Sequence, residues 1–345
     1  MTKNTICEKL FLLILLLSCT QKNEVKVFTD DFPEKLSEWN LFTGRNWTYS
    51  SQTFPYSLKT ALFSDYAGKF RTVHIPKGKK TEITETGPFA LPAGTVITKT
   101  FYYKKDGSSP EENDLVPGLL KENIRLMETR VLVNTGQGWT PLPYIWDEEK
   151  KDAYLEITGR RLTAEHRGTK FDYFIPNANQ CKTCHENSGE TKPIGLKLRH
   201  FDREFQYPEG KKLQTEKMKE FTSAEFPKSA PDTDPARLYL DINCSHCHSR
   251  EGQAKTSGLI LSSYETDPYS FGVCRSPVAA GKGSGNLKFD IVPGNPEKSI
   301  LYYRMNSIDP SIMMPELGRS IIHKEGTETV KNWIIGLRGN CGKNL

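Results

Sequence analysis

The stretch Asp241-Ile-Asn-Cys244-Ser-His-Cys247-His248 decides how the chain is read, and its core recurs earlier as Cys181-Lys-Thr-Cys184-His185. Two thiols three positions apart, followed directly by histidine, form the attachment pattern for c-type haem. The spacing has a chemical reason. Both thiols can reach the vinyl groups on one edge of a haem, and the histidine is carried under the ring to meet the iron. Cys181, Cys184, Cys244 and Cys247 are thus expected to hold two covalently bound haem c groups, with His185 and His248 as iron ligands. A zinc site and a thioredoxin-like pair are the rivals. Zinc leaves the repeated histidine unexplained, and neither pair follows a strand in a βαβ pattern.

Around the second motif the pattern is helical. Pro235–Asn243 reads as a helix running into Cys244, with Asp234 as N-cap and proline at its first position. Beyond a Gly/Ser-rich loop at 281–285, Asn295 caps a helix from Pro296 through Met305, and an amphipathic helix, Thr329–Leu337, ends near Gly339. Between them, Met313 and Met314 precede Pro315, and Met314 is the expected second ligand of the later haem, with Met313 as alternative. Helix, motif, helix, Met-Pro loop and helix is the order of a class I cytochrome c domain. The expectation is an all-α domain over 231–345.

The first motif reads differently. Pro176 and the asparagines interrupt the stretch before Cys181, so that haem is expected on a loop segment, 177–230, with helical propensity only at Leu213–Phe221. His200 is the candidate for the opposite face of its iron, with Met218 or an open position as alternatives, and His246 is expected to face solvent, with an approach to the neighbouring haem as its alternative.

Upstream, alternating β-branched and aromatic runs at Phe70–Ile75, Thr95–Tyr103, Ile124–Val133, Trp139–Trp146, Ala153–Ile157 and Lys170–Ile175 read as strands. They suggest a β-rich, sandwich-like domain over 31–176. The fold class expected is therefore α+β multidomain: a β-rich domain, a haem-bearing loop segment and the all-α domain.

Lys3 and Lys9 precede a short apolar run, Leu10–Leu17, which reads as a signal peptide. Leu16-Leu-Ser-Cys19 then resembles a lipoprotein box, so 1–19 is expected to be a leader whose Cys19 carries lipid, and 20–30 a polar tether. The expectation is an exported, membrane-anchored lipoprotein on the periplasmic side or the outer surface, which suits the attachment of c-type haem outside the cytoplasmic membrane. Of 8 cysteines, Cys7 lies in the leader, Cys19 takes lipid and four take haem, which leaves Cys274 and Cys341 as a disulfide pair. A net charge of +5 without a basic block argues against a nucleic-acid partner.

Ile291-Val-Pro-Gly-Asn-Pro-Glu-Lys-Ser-Ile-Leu, Met314-Pro-Glu-Leu-Gly and Trp333-Ile resemble the C-terminal part of bacterial cytochrome c domains. Together with Pro55–Tyr66, Asn179-Gln-Cys181 and Leu240-Asp-Ile-Asn-Cys244, the chain resembles a bacterial family described as dihaem c-type cytochromes. The resemblance implies haem binding and electron transfer and supplies no substrate. The expected activity is single-electron carriage to a redox protein, a dehydrogenase or another cytochrome, rather than catalysis. A dihaem peroxidase-like enzyme with one open haem and a haem-stabilised surface binding module are the alternatives.

Overall fold

The computed structural model describes residues 24–342, apart from 61, 83–87, 112, 113, 116, 117, 203–233 and 279. The leader with Cys19 and the Leu213–Phe221 stretch with Met218 lie outside the described residues. A ribbon of β1 (Phe42–Thr43) and β2 (Thr48–Tyr49) precedes a six-stranded antiparallel sheet whose strands lie side by side in chain order. These are β3 (Thr53–Pro55), β4 (Gly68–His74), β5 (Val96–Lys104), β6 (Ile124–Asn134), β7 (Trp139–Asp147) and β8 (Asp152–Leu155). There follow a hairpin of β9 (Arg160–His166) and β10 (Thr169–Ile175), a helix α1 (Ala178–His185), and a ribbon of β11 (Glu186–Asn187) and β12 (Glu190–Thr191).

Strand period two divides the sheet's side chains between two surfaces. On β5, Val96, Thr98, Thr100 and Tyr102 share one face, which packs with Leu36, Trp39 and Leu41 into the largest core. Polar groups there are satisfied in pairs: Thr72 with Thr98 at 2.7 Å, Thr100 with Thr129 at 2.8 Å, and the Trp39 indole donating to Tyr144 Oη at 2.8 Å. Ile97, Lys99, Phe101 and Tyr103 lie on the other face. That face carries two separate apolar clusters. One joins Val73, Ile97 and Leu132 to Leu196, Leu198 and Phe201; the other joins Phe101, Tyr103 and Met127 to Tyr173 and Ile175 of β10.

Several expectations need correction here. The second layer over the sheet is a two-stranded hairpin and irregular chain, not a matching sheet, so the β-rich part is not a sandwich. From Glu24 the supposed tether is packed: Val25, Val27 and Phe28 lie against the main core, and the Val25 amide donates to Gln52 at 2.8 Å.

The largest correction concerns the C-terminal part, which is not an all-α domain. Among the described residues beyond 233 there are three α-helices, α2 (Pro235–Cys244), α3 (Ile300–Met305) and α4 (Lys324–Gly336), of 10, 6 and 13 residues. The stretch 245–299 runs in turns, 3-10 segments and isolated parallel bridges, Val273 with Ile291 and Phe289 with Ser299. Its glycines and prolines explain this. Gly258, Gly272, Gly281, Gly285 and Gly294 all have positive φ, and Pro268, Pro277, Pro293 and Pro296 supply no amide donor. The helix expected from Pro296 is broken at Ser299, whose ψ of 121° is extended, so only Ile300–Met305 is α-helical. With its sheet and hairpins, the molecule as described is mainly β.

The two halves meet closely. The Phe63 amide donates to Asn243 Oδ1 at 2.8 Å, and the Tyr66 hydroxyl donates to Glu325 at 2.6 Å. Asp65 accepts the amides of Ser320 and Ile321 at 2.7 and 3.0 Å. No helix among the described residues is long and apolar enough to cross a membrane.

Candidate functional site

Between the charged middle of the second sheet face and the C-terminal part lies a cleft. Its cavity volume is about 180 Å³. Cys181, Cys184 and His185 of the first motif line it, together with Cys244 and His246 of the second and Met314. Its lining does not include His200, Cys247, His248 or Met313.

The first motif sits on α1, not on a loop. Asn177 accepts the Gln180 amide at 2.8 Å, and the Gln180 side chain accepts the Asn177 amide at 3.0 Å. This reciprocal capping box starts a helix directly after Pro176 and offsets the poor propensity of the asparagines. At its end the His185 Nδ1 faces the Lys192 carbonyl at 2.8 Å. A nitrogen facing a carbonyl must carry the proton, so Nε2 keeps its lone pair. Burial pushes the His185 pKa down to about 4, which keeps the imidazole neutral.

The second motif closes α2, where the capping expectation holds in detail: Asp234 accepts the Ala236 amide at 2.8 Å and Pro235 is the first helical residue. His248 is likewise held down to about 4 by burial, and its Nδ1 lies 3.4 Å from Ser257 Oγ. Cys244 faces the cleft, and burial raises its thiol to about 12. Met314 reaches the cleft from the loop after α3. Buried Arg319 fastens that loop by donating to the carbonyls of Met314 at 2.9 Å and Ser307 at 2.8 Å. Met313 is buried apart from the cleft.

The motifs touch each other. The ligand atoms of Cys184, His246 and Cys247 all lie within 4.8 Å of one another, and Cys247 Sγ is 3.6 Å from the Thr183 carbonyl. His246 is therefore not a solvent-facing residue: it is half-buried and its Nδ1 has no partner among the described residues. A hydrogen bond from Cys247 and the neighbouring His246 favour the Cys184 thiolate against the cost of its burial.

His200 is the site residue that the structure moves elsewhere. It is fully buried, and its Nε2 donates to Asp241 at 2.9 Å. Arg199 makes a bidentate pair with the same carboxylate, Ser245 donates to it at 2.6 Å, and Lys197 stands 3.8 Å away. Burial alone would raise the Asp241 pKa. The hydrogen bonds from Arg199 and His200, with the charges of Lys197 and Arg199, outweigh it and hold the carboxyl far below the usual range. The histidine thus fixes α2 to the chain at 197–200 and does not face the cleft. Cys274 and Cys341 are joined by a disulfide.

Sequence reasoning missed the cationic row Arg71, Lys99 and Arg130, which lines the same cleft. The signal was present, because Lys99 alternates in phase with Ile97 and Phe101 on a strand with both faces covered. The donor set as a whole, paired thiols with neutral imidazoles and a thioether, fits iron in a covalently bound haem. The Cys184, His246 and Cys247 group by itself fits zinc. Comparison with known proteins gives no matching family model, no matching curated protein and no matching solved structure.

Proposed function

We propose that the chain is an exported dihaem c-type cytochrome that passes single electrons between protein partners. One observation carries this reading: Cys181, Cys184 and His185 of the first motif share a cleft with Cys244 of the second, Cys184 lies beside Cys247, and His185 is held in the tautomer that offers Nε2. Cys181 and Cys184 would anchor one haem and Cys244 and Cys247 the other, with His185 and His248 as iron ligands. Haem iron bound there would supply the one-electron redox couple. Met314, on a loop that Arg319 keeps in place, would be a further ligand of the second iron. Apolar walls from Ile97, Leu132 and Ile242 would exclude water from the rings. Attachment of haem to such motifs outside the cytoplasmic membrane agrees with the leader and the lipid anchor at Cys19 read from the sequence, which remain part of the proposal.

Because His200 is bound to Asp241, it would not serve as a ligand of the first haem. Spectra of the purified protein, oxidised and reduced, with and without carbon monoxide, test this reading. Two low-spin haems that ignore carbon monoxide make the chain a pure carrier. A high-spin haem that binds it and reacts with peroxide shifts the protein to the peroxidase-like class.

A second reading is favoured by one observation, the mutual 4.8 Å grouping of Cys184, His246 and Cys247. Three such ligands with an open fourth position are a zinc arrangement. It requires that Cys184 and Cys247 carry no thioether, so metal analysis beside a haem stain separates the two readings.

A further inference from the structure

Three cations stand in register across the middle of the sheet. Arg71 of β4 pairs with Lys99 of β5, and Lys99 pairs with Arg130 of β6. Like charges on directly opposite residues destabilise a sheet, and all three side chains line the cleft. One step along, the next row reads Lys69, Phe101 and Glu128, which adds a fourth cation and a single carboxylate. That carboxylate is already committed. Glu128 accepts Arg130 through both oxygens, at 2.6 and 2.8 Å, and the Tyr173 hydroxyl at 2.7 Å. Lys99, at the centre, makes no hydrogen bond or ion pair among the described residues; its ammonium lies over the Phe101 ring at 4.9 Å. Burial and the surrounding cations push its pKa well down.

Lys99 in the middle of such a row is costly to maintain as a cation without an anion, because buried charge demands a counter-charge. It lies between the two apolar clusters of the same sheet face, so a ligand there would set its charged group on the row and its apolar body against the flanks. We infer that the Arg71, Lys99 and Arg130 row is a carboxylate-binding wall of the cleft. The carboxylate can come from the propionates of a haem held on α1, which rests on the function proposed above, or from a free aromatic or aliphatic acid entering the cleft.

The test uses the purified full-length protein, its Lys99→Met variant and the charge-keeping Lys99→Arg variant, at constant ionic strength. The thermal midpoint is read with sodium benzoate and with neutral benzamide, and the haem midpoint potential is read for each protein. If propionates fill the wall, benzoate has no effect, K99M lowers the thermal midpoint and moves the potential, and K99R restores both. If a free acid is the ligand, benzoate raises the wild-type midpoint while benzamide does not, and K99M weakens benzoate binding about tenfold or more. An unmoved potential together with no benzoate response overturns the inference, whatever K99M does to stability. A protein without haem refutes the function reading separately, through its haem stain, and the wall is then judged on benzoate alone.

Discussion

The sulfur of Cys184 lies within 4.8 Å of the sulfur of Cys247, although the two belong to different motifs. This closeness has a chemical consequence, since Cys184 is biased toward the thiolate, the form that attacks another sulfur. In chain produced without haem attachment, a Cys184–Cys247 disulfide is expected on air oxidation, readable by non-reducing peptide mapping. Chain carrying both haems should show neither that cross-link nor a labelled thiol at any of the four positions.

His200 and Asp241 give the second prediction. Because His200 is a positioning residue away from the cleft, His200→Ala should leave the reduced absorption spectrum unchanged while lowering stability. Asp241→Asn should do more. Asp241 is wholly buried and the Arg199 side chain only 4 % exposed, so loss of the anion strands a buried guanidinium at a cost of about 3–5 kcal/mol. Denaturant unfolding measures both. A spectral change in H200A would return the histidine to the iron.

Asp65 predicts a pH effect of definite sign. Burial lifts its pKa to about 6 from the ordinary 3.8, despite the two amides that it accepts. The folded state therefore holds the proton more tightly than the unfolded state. The resulting stabilisation is complete below about pH 4 and is lost as the pH rises through about 6. Asp241, with its lowered pKa, acts oppositely: its stabilisation is present above about pH 4 and is lost as the pH falls. Asp65→Asn should remove the first slope only, so the wild-type unfolding free energy should fall relative to that of the variant as the pH rises across about 4–6 and stay level with it above that range.

The Cys274–Cys341 disulfide spans a sequence separation of 67 and ties the end of the chain to the irregular 245–299 stretch. Closing a loop of that length in the unfolded chain contributes about 4 kcal/mol. The Cys274→Ser, Cys341→Ser double variant should unfold at correspondingly lower denaturant, with its haem spectrum retained.

Much of the β part was legible because alternation in runs such as Thr95–Tyr103 has one physical solution, a strand with two different faces. The capped entry to α2 was legible for a similar reason, since Asp234 and Pro235 act locally. The rest depended on contacts distant in sequence. Helix signals at Pro296 and Thr329 are real, but the residues between the helices are too rich in Gly and Pro to fill a helical domain, and bridges such as Val273 with Ile291 take their place. The loop assignment of the first motif overlooked the Asn177 and Gln180 capping box, which was readable in the sequence. His200 was nearest in sequence to the first motif, yet a buried carboxylate on α2 holds it. Nothing in the local sequence announced that pairing.

Covalent haem on both motifs is tested most directly by the haem-to-protein ratio of the purified chain. It is read from the alkaline pyridine spectrum after acid–acetone extraction of any loose haem. Two thioether-bound haems per chain are expected, falling to one when Cys181 and Cys184 are both replaced by Ser. No covalent haem, with zinc bound at Cys184, His246 and Cys247 instead, would contradict it.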